Sequence, residues 1–240
     1  MKTKIRLYFS DKIQSDLVAH LKKEQSHYLK DVMRLKEGDI FSVFNNQGEW
    51  NASLQSYKKQ EAEIKILKKV RDRKNENDIW LAFTPIKQNP LNFIIQKGTE
   101  LGVQKFIPVL SERTIVKDIN IERIKKIIIE SSEQSNRISV PEISKLETLK
   151  NFISNFPQKG CLVFCDINSN KSDLKSILSK KDIGPICILI GPEGDFSENE
   201  RKLIIDLNQS YSISLATNIL RAETAALTAV ALVNYHLNLS

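Results

Sequence analysis

The sequence predicts an α/β protein in two parts: a β-rich segment over residues 1–72, and a mostly parallel sheet with helices on both faces over residues 73–240. Three observations predict this division. Alternating apolar patterns dominate the first segment, β and α patterns alternate along the second, and the polar stretch RDRKNEND at 71–78 contains no apolar anchor. A chain of 240 residues is long enough to form two cores.

The first segment contains four strand patterns and one short helix. The helix is predicted over Gln25–Arg34, because Tyr28, Leu29, Val32 and Leu35 share one stripe. The strands are predicted at IRLYF (5–9), DIFSVFN (39–45), GEWNASLQSYK (48–58) and EAEIKILKKV (61–70). Together these elements predict a small barrel or sandwich.

The second segment alternates strands with helices. Its strands are predicted at IWLAFT (79–84), KFIPVL (105–110), CLVFCD (161–166), ICILI (186–190) and SISL (212–215). Its helices are predicted at 92–101 with Gly102 as the C′ residue, after a cap at Asn120, at Leu149–Phe156, at Ser172–Leu178, at 197–207 and from about Arg221. This alternation is typical of a mostly parallel sheet covered by helices.

Composition excludes several classes of protein. No apolar run is long enough to span a bilayer, and the N-terminus lacks the apolar stretch of a signal peptide, so the expected compartment is the cytoplasm. Three cysteines and three scattered histidines predict neither a disulfide framework nor a metal site, and we interpret the cysteines as core residues. Residues 1–72 carry 15 basic and 10 acidic side chains, an excess that slightly favours a nucleic-acid partner over simple solubility.

The stretch LIGPEGDFSENE (189–200) predicts a strand, a glycine-bearing loop and a helix. Gly191 and Gly194 permit positive φ and close approach to bare backbone, and Ser197 with Glu200 forms a capping-box pattern. Ligands of parallel sheets bind outside the carboxyl ends of strands, where this loop is expected. An ordinary connection between a strand and a helix remains the alternative.

A second informative stretch is SLATNILRAETAALTAVALVNYHL (214–237). A short strand leads into an alanine-rich helix, beside which the charges of Arg221 and Glu223 are costly unless they are paired or used. No dinucleotide fingerprint, P-loop or nucleophile elbow is present, so the glycine loop is not a recognisable phosphate cradle.

These two stretches resemble the C-terminal motifs of the RsmE family, the 16S rRNA uridine-N3 methyltransferases of the SPOUT superfamily. Further similar segments follow in family order along nearly the whole chain: HYLKDVMRLKEGD (27–39), QKGTELGV (96–103), SERTIVK (111–117) and IESSEQSNRISVPEI (129–143). The resemblance implies a PUA-like β-barrel RNA-binding domain over 1–72. It also implies a SPOUT α/β domain with a trefoil knot over 73–240, forming a homodimer.

The resemblance also implies S-adenosylmethionine as cofactor, bound by the knot loops. The implied cofactor-binding residues are Leu189, Ile190, Gly191, Pro192, Glu193, Gly194, Leu215, Ala216, Asn218, Ile219, Leu220, Thr224 and Ala225. Arg221 is the candidate that stabilises negative charge on the uracil oxygens. Glu223 either orients Arg221 or satisfies nearby backbone. Glu100 and Glu133 are possible general bases without further support.

The implied partner is 16S rRNA within the small ribosomal subunit, with uridine 1498 as the family's target position. No metal and no membrane partner are expected. The candidate phosphate-contacting residues are Arg6, Arg34, Lys87, Lys97, Arg113 and Arg137. For each of them a solvated surface charge is the alternative.

The chain departs from the family motifs at three positions. Asp195 replaces a glycine, and Asp tolerates left-handed backbone better than most residues; Ala216 adds a methyl group, and Asn218 removes a charge. These changes keep open a non-catalytic RNA-binding protein of the same fold. A SPOUT enzyme that acts on another RNA is the second alternative.

Overall fold

The computed structural model describes residues 5–58, 61–169, 173–179 and 184–238. They form two compact units. The first comprises the chain up to Asn75 together with Ser132–Val140, and the second comprises Glu76–Ser131 and the chain from Pro141 onward. The end of one helix and the loop that follows it therefore belong to the N-terminal unit, a connection that the sequence pattern did not indicate.

The first unit is a five-stranded sheet with the strand order β1-β3-β4-β5-β2. Strand β1 pairs parallel to β3, and the other neighbours are antiparallel. The strands are β1 (Arg6–Tyr8), β2 (Val18–His20), β3 (Ile40–Asn45), β4 (Gly48–Lys58) and β5 (Glu61–Asp72). The four predicted strands are confirmed, whereas β2 has no clear period-two pattern and was not predicted.

The core of the first unit is formed by residues on alternate positions of the long strands, such as Leu54, Ile64 and Ile66, all fully buried. The predicted helix is present but shorter: α1 (Lys23–His27) continues as a π-helical turn over Tyr28–Val32. Arg34 follows with a φ of +55°, which ends the helix.

A charged network fixes the segment 132–140 within the first unit. Arg6 pairs with Glu49 at 3.1 Å and donates to the backbone oxygens of Ser132, Glu133 and Arg137. The side chains of Arg6 and Glu49 are each only 8% exposed. Arg6 thereby donates to carbonyls at the C-terminal end of a helix, where backbone oxygens run out of intrahelical donors.

The second unit is a parallel sheet with the order β12-β10-β11-β6-β7-β8, and β9 also pairs with β7. Its strands are β6 (Ile79–Phe83), β7 (Lys105–Leu110), β8 (Glu142–Ile143), β9 (Glu147–Thr148), β10 (Cys161–Cys165), β11 (Ile186–Ile190) and β12 (Ser210–Ile213). Every pairing is parallel, so the predicted sheet is confirmed. The two-residue strands β8 and β9 were too short to predict.

Most helices of the second unit begin and end within two residues of the predicted positions, whereas α2 begins four residues earlier than predicted. They are α2 (Gln88–Glu100), α3 (Ile121–Gln134), α4 (Leu149–Ser154), α5 (Leu174–Leu178), α6 (Glu198–Ile205) and α7 (Ala222–Asn238). Gly102 takes a φ of +99° after α2, and the Asn120 side chain accepts from the Arg123 N–H at 2.9 Å. Ser172, the predicted start of α5, lies outside the described residues.

Helices cover both faces of this sheet. On one face α4 and α6 pack with Leu162, Phe164 and Leu189. Residues that alternate with these, such as Val163 and Ile188, are equally buried, and α7 packs against β6, β11 and α2. Residues 214–221 connect the edge strand β12 to α7, which packs against the more central strands β6 and β11.

Candidate active site

The loop after β11, residues 191–197, begins where the chain leaves the buried strand. The Asp195 N–H donates to Pro192 O at 3.0 Å, and Asp195 takes a φ of +60°. The carboxylate of Asp195 accepts from the Phe196 N–H at 2.7 Å. The left-handed residue of this loop is therefore Asp195 and not Gly191 or Gly194, which corrects the expectation that the glycines supply the positive φ.

The two glycines of the loop have different environments. A Cβ atom on Gly191 would lie 2.9 Å from the ring of Phe196, which is buried and packs edge-on against Phe164. Internal packing therefore leaves no room for a side chain at Gly191. A Cβ on Gly194 would meet only Arg113, at 3.9 Å, so its surface is open.

The loop after β7 is tied to the loop after β11 by two contacts. The Glu200 carboxylate accepts from Glu112 N–H at 2.8 Å and from Ser197 N–H at 3.1 Å. The second bond belongs to the predicted capping box, which is confirmed. Arg113 Nη1 donates to Gly194 O at 2.8 Å. The capping-box pattern was visible in the sequence, but its extension to Glu112 was not.

A pocket lies between these loops and the segment that follows β6. Its lining includes the predicted cofactor-binding residues Pro192, Glu193 and Gly194. It also includes two predicted RNA-binding residues, Lys87 and Arg113. Its remaining lining residues are Pro85, Ile86, Ile115 and Val116. One cavity thus brings together residues expected to bind cofactor with residues expected to bind RNA.

The loop after β10 joins the other loops at this edge of the sheet. Asp166 has a fully buried side chain that pairs with Arg201 at 2.7 Å, and this hydrogen bond raises the pKa of Arg201. Asn168 Nδ2 lies 3.5 Å from Asp195 Oδ2, and Ser169 Oγ donates to Ser212 O at 3.2 Å. Sequence reasoning did not select Asp166, although it directly follows a buried strand.

The residues before α7 form the last loop at this edge. Ile219 is 84% exposed, while Leu215 and Leu220 are half-buried. These three side chains leave apolar surface accessible on the segment that leads into α7. The other predicted cofactor-binding residues here, Ala216, Asn218, Thr224 and Ala225, are exposed or half-buried.

Arg221 caps α7, since its carbonyl accepts from Ala225 N–H at 2.8 Å. The Arg221 side chain is exposed, and Glu223 is half-buried. Among the described residues neither side chain makes a hydrogen bond or an ion pair, so the structure does not join Glu223 to Arg221.

The remaining predicted RNA-binding and acid–base residues separate into two groups. Arg34 is exposed, whereas Lys97 pairs with Glu100 at 2.8 Å. Arg6 and Arg137 are largely buried in the first unit, where their guanidinium groups bind protein atoms. Glu133 accepts from Tyr8 N–H at 2.8 Å in that same unit. The geometry therefore gives Arg6, Arg137 and Glu133 structural contacts.

Neither the cysteines nor the acidic residues form a second reactive centre in the part of the chain that the structure describes. Burial raises the pKa of Cys165 to about 12 and raises the pKa of Cys187 as well, which keeps both thiols neutral. No described cluster of three His, Cys, Asp or Glu side chains could hold a metal ion. No described helix is both long enough and apolar enough to cross a membrane.

Comparison with known proteins agrees with this architecture. A family model described as an RNA methyltransferase domain matches residues 73–234, and one described as an RNA methyltransferase PUA domain matches residues 21–67. The chain is 33% identical over 231 residues to ribosomal RNA small subunit methyltransferase E of Rickettsia conorii, covering 94% of this chain and 93% of that protein. It is 30% identical to the Bacillus subtilis protein of the same name, covering 90% and 89%.

Two solved structures are similar over nearly their whole length. Ribosomal RNA small subunit methyltransferase E from Neisseria gonorrhoeae, bound to S-adenosylmethionine, superposes with a TM-score of 0.85 at 26% identity, covering 96% of this chain and 97% of that one. A putative methyltransferase from Legionella pneumophila in complex with the same cofactor gives 0.87 at 27% identity, covering 98% of each.

The parallel sheet, the loops at its carboxyl edge and the N-terminal PUA-like domain define a SPOUT-class RNA methyltransferase fold. The match extends beyond the class to one group within it. The chain belongs to the ribosomal RNA small subunit methyltransferase E family.

Proposed function

We propose that the protein is an S-adenosylmethionine-dependent methyltransferase that modifies N3 of a specific uridine in 16S rRNA of the small ribosomal subunit. The observation that carries the proposal is the pocket in which Pro192, Glu193 and Gly194 meet Lys87 and Arg113. A group-transfer site needs cofactor-binding and substrate-binding residues at one place, because the reacting atoms must approach within about 3–3.5 Å.

The cofactor would be held by the loop after β11 and by residues 215–225, and it would supply an electrophilic methyl group. Gly194 offers open backbone, and Leu215, Ile219 and Leu220 offer apolar surface for the adenine ring. The Glu200 and Asp166 contacts hold the loops in place before binding, so less ordering remains when a ligand binds.

Arg221 is proposed to stabilise the substrate anion. Uracil N3 must lose its proton before it can accept a methyl group, and the negative charge then spreads to the uracil oxygens. A guanidinium aimed at those oxygens stabilises this charge. The Arg221 side chain is exposed and makes no hydrogen bond or ion pair within the described residues, so its donors are available.

The test is transfer of labelled methyl groups to small ribosomal subunits that lack the modification, followed by mass mapping of the rRNA. The expected product carries one methyl group at N3 of a single uridine. Arg221→Ala should lower the transfer rate about 100-fold or more while cofactor affinity stays within about threefold. Near-normal turnover by this variant would remove Arg221 from the mechanism.

Other results of the same assay would point elsewhere. Absence of both transfer and cofactor binding would favour a non-catalytic RNA-binding protein, the reading that Asp195, Ala216 and Asn218 keep open. Cofactor binding without transfer to the subunit would indicate a different RNA. A substrate within ribosomal subunits would also account for the proposed cytoplasmic location.

RNA contacts are proposed for the exposed basic residues Arg34, Lys87 and Arg113, with residues 1–72 forming the PUA-like RNA-binding domain. Each true phosphate contact should contribute about 1 to the dependence of log affinity on log salt concentration. Lys97 is a weaker candidate, because its ammonium already pairs with Glu100.

A homodimer is proposed through α2 and α7. These helices pack against each other, and both expose apolar side chains, namely Phe93, Leu232 and Tyr235. Leu232 and Tyr235 are three residues apart and therefore share one face of α7, and exposed apolar surface of this kind marks interaction sites. Replacing Leu232 and Tyr235 together by Glu should yield a monomer in sedimentation velocity, whereas Leu203→Glu on α6 should not. An unchanged sedimentation coefficient in the double variant would contradict this interface.

A further inference from the structure

We propose that the pocket between the loops after β6, β7 and β11 is the subsite for the extruded target nucleotide, in which Glu193 accepts the proton from uracil N3. This inference rests on the proposed function, because it assumes a uridine substrate. It assigns the proton acceptor, which neither the sequence motifs nor Arg221 supply. In this proposal Glu193 acts on the substrate, whereas the family resemblance implied that it binds the cofactor.

The chemistry of the pocket lining matches a pyrimidine nucleotide. Ile86, Ile115, Val116 and Pro192 provide apolar surface for a flat ring, and Lys87 and Arg113 provide two cations for a phosphate. Ile115 is 84% exposed, although Ile is among the residue types most often buried. Enzymes that modify a base generally hold it outside the duplex between aromatic or apolar side chains.

Two charged side chains of the pocket differ in their contacts, since Arg113 is hydrogen-bonded to the protein and Glu193 is not. Arg113 is fixed by its 2.8 Å hydrogen bond to Gly194 O, so its remaining donors have a defined position beside Glu193. Glu193 is exposed and makes no hydrogen bond or ion pair among the described residues, so its carboxylate is available to accept a proton. Thr84, which precedes the lining residue Pro85, has a buried hydroxyl without a partner in the described part of the chain.

The proposed step is a proton transfer within this pocket. The N3–H bond breaks, the proton goes to a carboxylate oxygen of Glu193, and the electron pair remains on N3, delocalised onto the two uracil oxygens. That pair would form the new N–C bond with the methyl group that bound S-adenosylmethionine supplies, and the electrons of the broken S–C bond would remain on sulfur. The carboxylic acid formed on Glu193 returns its proton to water after product release.

Three assays on wild type, Glu193→Gln and Ile115→Asp test the proposal. They measure cofactor affinity, binding of uridine 5′-monophosphate in the presence of S-adenosylhomocysteine, and single-turnover methyl transfer to small subunits as a function of pH. Glu198→Gln and Ile205→Asp, both exposed on α6, are the matched controls.

The expected results differ between the two variants. Glu193→Gln should bind cofactor within about threefold of wild type and lose about 100-fold or more in transfer rate at neutral pH. Its residual rate should rise steeply with pH, because the substrate must then ionise without a protein base. Ile115→Asp should lose uridine 5′-monophosphate binding about tenfold or more while keeping cofactor affinity.

Several outcomes would overturn the proposal. Loss of cofactor affinity in both variants would make the pocket part of the cofactor site. If Glu193→Gln transfers methyl groups within threefold of the wild-type rate, or if its pH profile is parallel to that of wild type, Glu193 is not the proton acceptor. If wild-type protein does not bind uridine 5′-monophosphate, the pocket is not a nucleotide subsite. If the nucleotide binds and Ile115→Asp abolishes its binding, but wild type transfers no methyl group, the subsite stands and the proposed function fails.

Discussion

The carboxylate of Glu200 accepts a hydrogen bond from the backbone N–H of Glu112, 88 residues away in the chain, at 2.8 Å. Its other oxygen accepts from Ser197 N–H at 3.1 Å. The residue that caps α6 therefore also fixes the loop after β7. Two of the three loops around the proposed nucleotide pocket are held by one largely buried side chain.

Glu200→Ala should lower the free energy of unfolding by about 2–3 kcal/mol, because it removes a capping box and leaves two backbone donors without a partner. Urea unfolding measures this change. Glu198→Ala, on the same helical turn but exposed, is the control and should cost at most about 0.5 kcal/mol. Equal losses in the two variants would show that Glu200 contributes no more than a surface charge.

Gly191→Ala should destabilise the protein by about 1–3 kcal/mol, because the added methyl group would lie 2.9 Å from the buried Phe196 ring. Gly194→Ala is the matched control, since its nearest neighbour is 3.9 Å away, and its stability should be nearly unchanged. Thermal unfolding of both variants and of the double variant Gly191→Ala with Phe196→Leu checks the cause. If the second change does not reduce the cost of the first, the ring is not the obstacle.

The sequence predicted the second unit well because its strands are fully buried and its helices carry recognisable caps. The apolar run at 186–190 and the Ser197–Glu200 box are local signals, and both gave the correct element. Strand β2, with only Ala19 partly buried among its three residues, depends on pairing with β5, and such pairing leaves no local pattern.

The site was predicted only in part, because some of its contacts join residues that are distant in the sequence. Gly191 was predicted to permit close approach to its backbone, but the Phe196 ring that packs there lies five residues further on, and its position depends on how the loop closes. Arg6 resembles any surface cation in the sequence. Only the folded chain shows that it binds the carbonyls of 132–137, which are more than 120 residues distant.

Acid should destabilise the N-terminal unit through Glu49. Burial alone would raise the pKa of this carboxyl group, but hydrogen bonds and charges from Arg6 and Arg71 outweigh burial and lower it below the ordinary value of 4.5. A lowered pKa contributes stability that is complete above the unfolded-state value and is lost as pH falls through the folded-state value. The loss should therefore occur below about pH 4.5.

Glu49→Gln tests this expectation. At neutral pH the variant should be about 3 kcal/mol less stable, because Arg6 remains buried without its counter-charge. Between about pH 6 and pH 3 its free energy of unfolding should fall less than that of wild type. Parallel pH profiles for variant and wild type would assign the acid sensitivity to other carboxylates.

Arg34 has an unfavourable left-handed backbone conformation and an exposed charged side chain. Its φ of +55° is a conformation that glycine adopts more easily, and Leu35 N–H closes the turn to Leu29 O at 2.9 Å. Arg34→Gly should therefore raise the free energy of unfolding by about 1 kcal/mol.

If Arg34 contacts an RNA phosphate, the same variant should bind small ribosomal subunits more weakly. The slope of log affinity against log salt concentration should then become shallower by about 1. Arg34→Asn, which tolerates the backbone but lacks the charge, should reproduce the loss of affinity, and Arg34→Lys should largely retain it. A stabilised glycine variant with unchanged affinity and salt slope would show that Arg34 makes no phosphate contact.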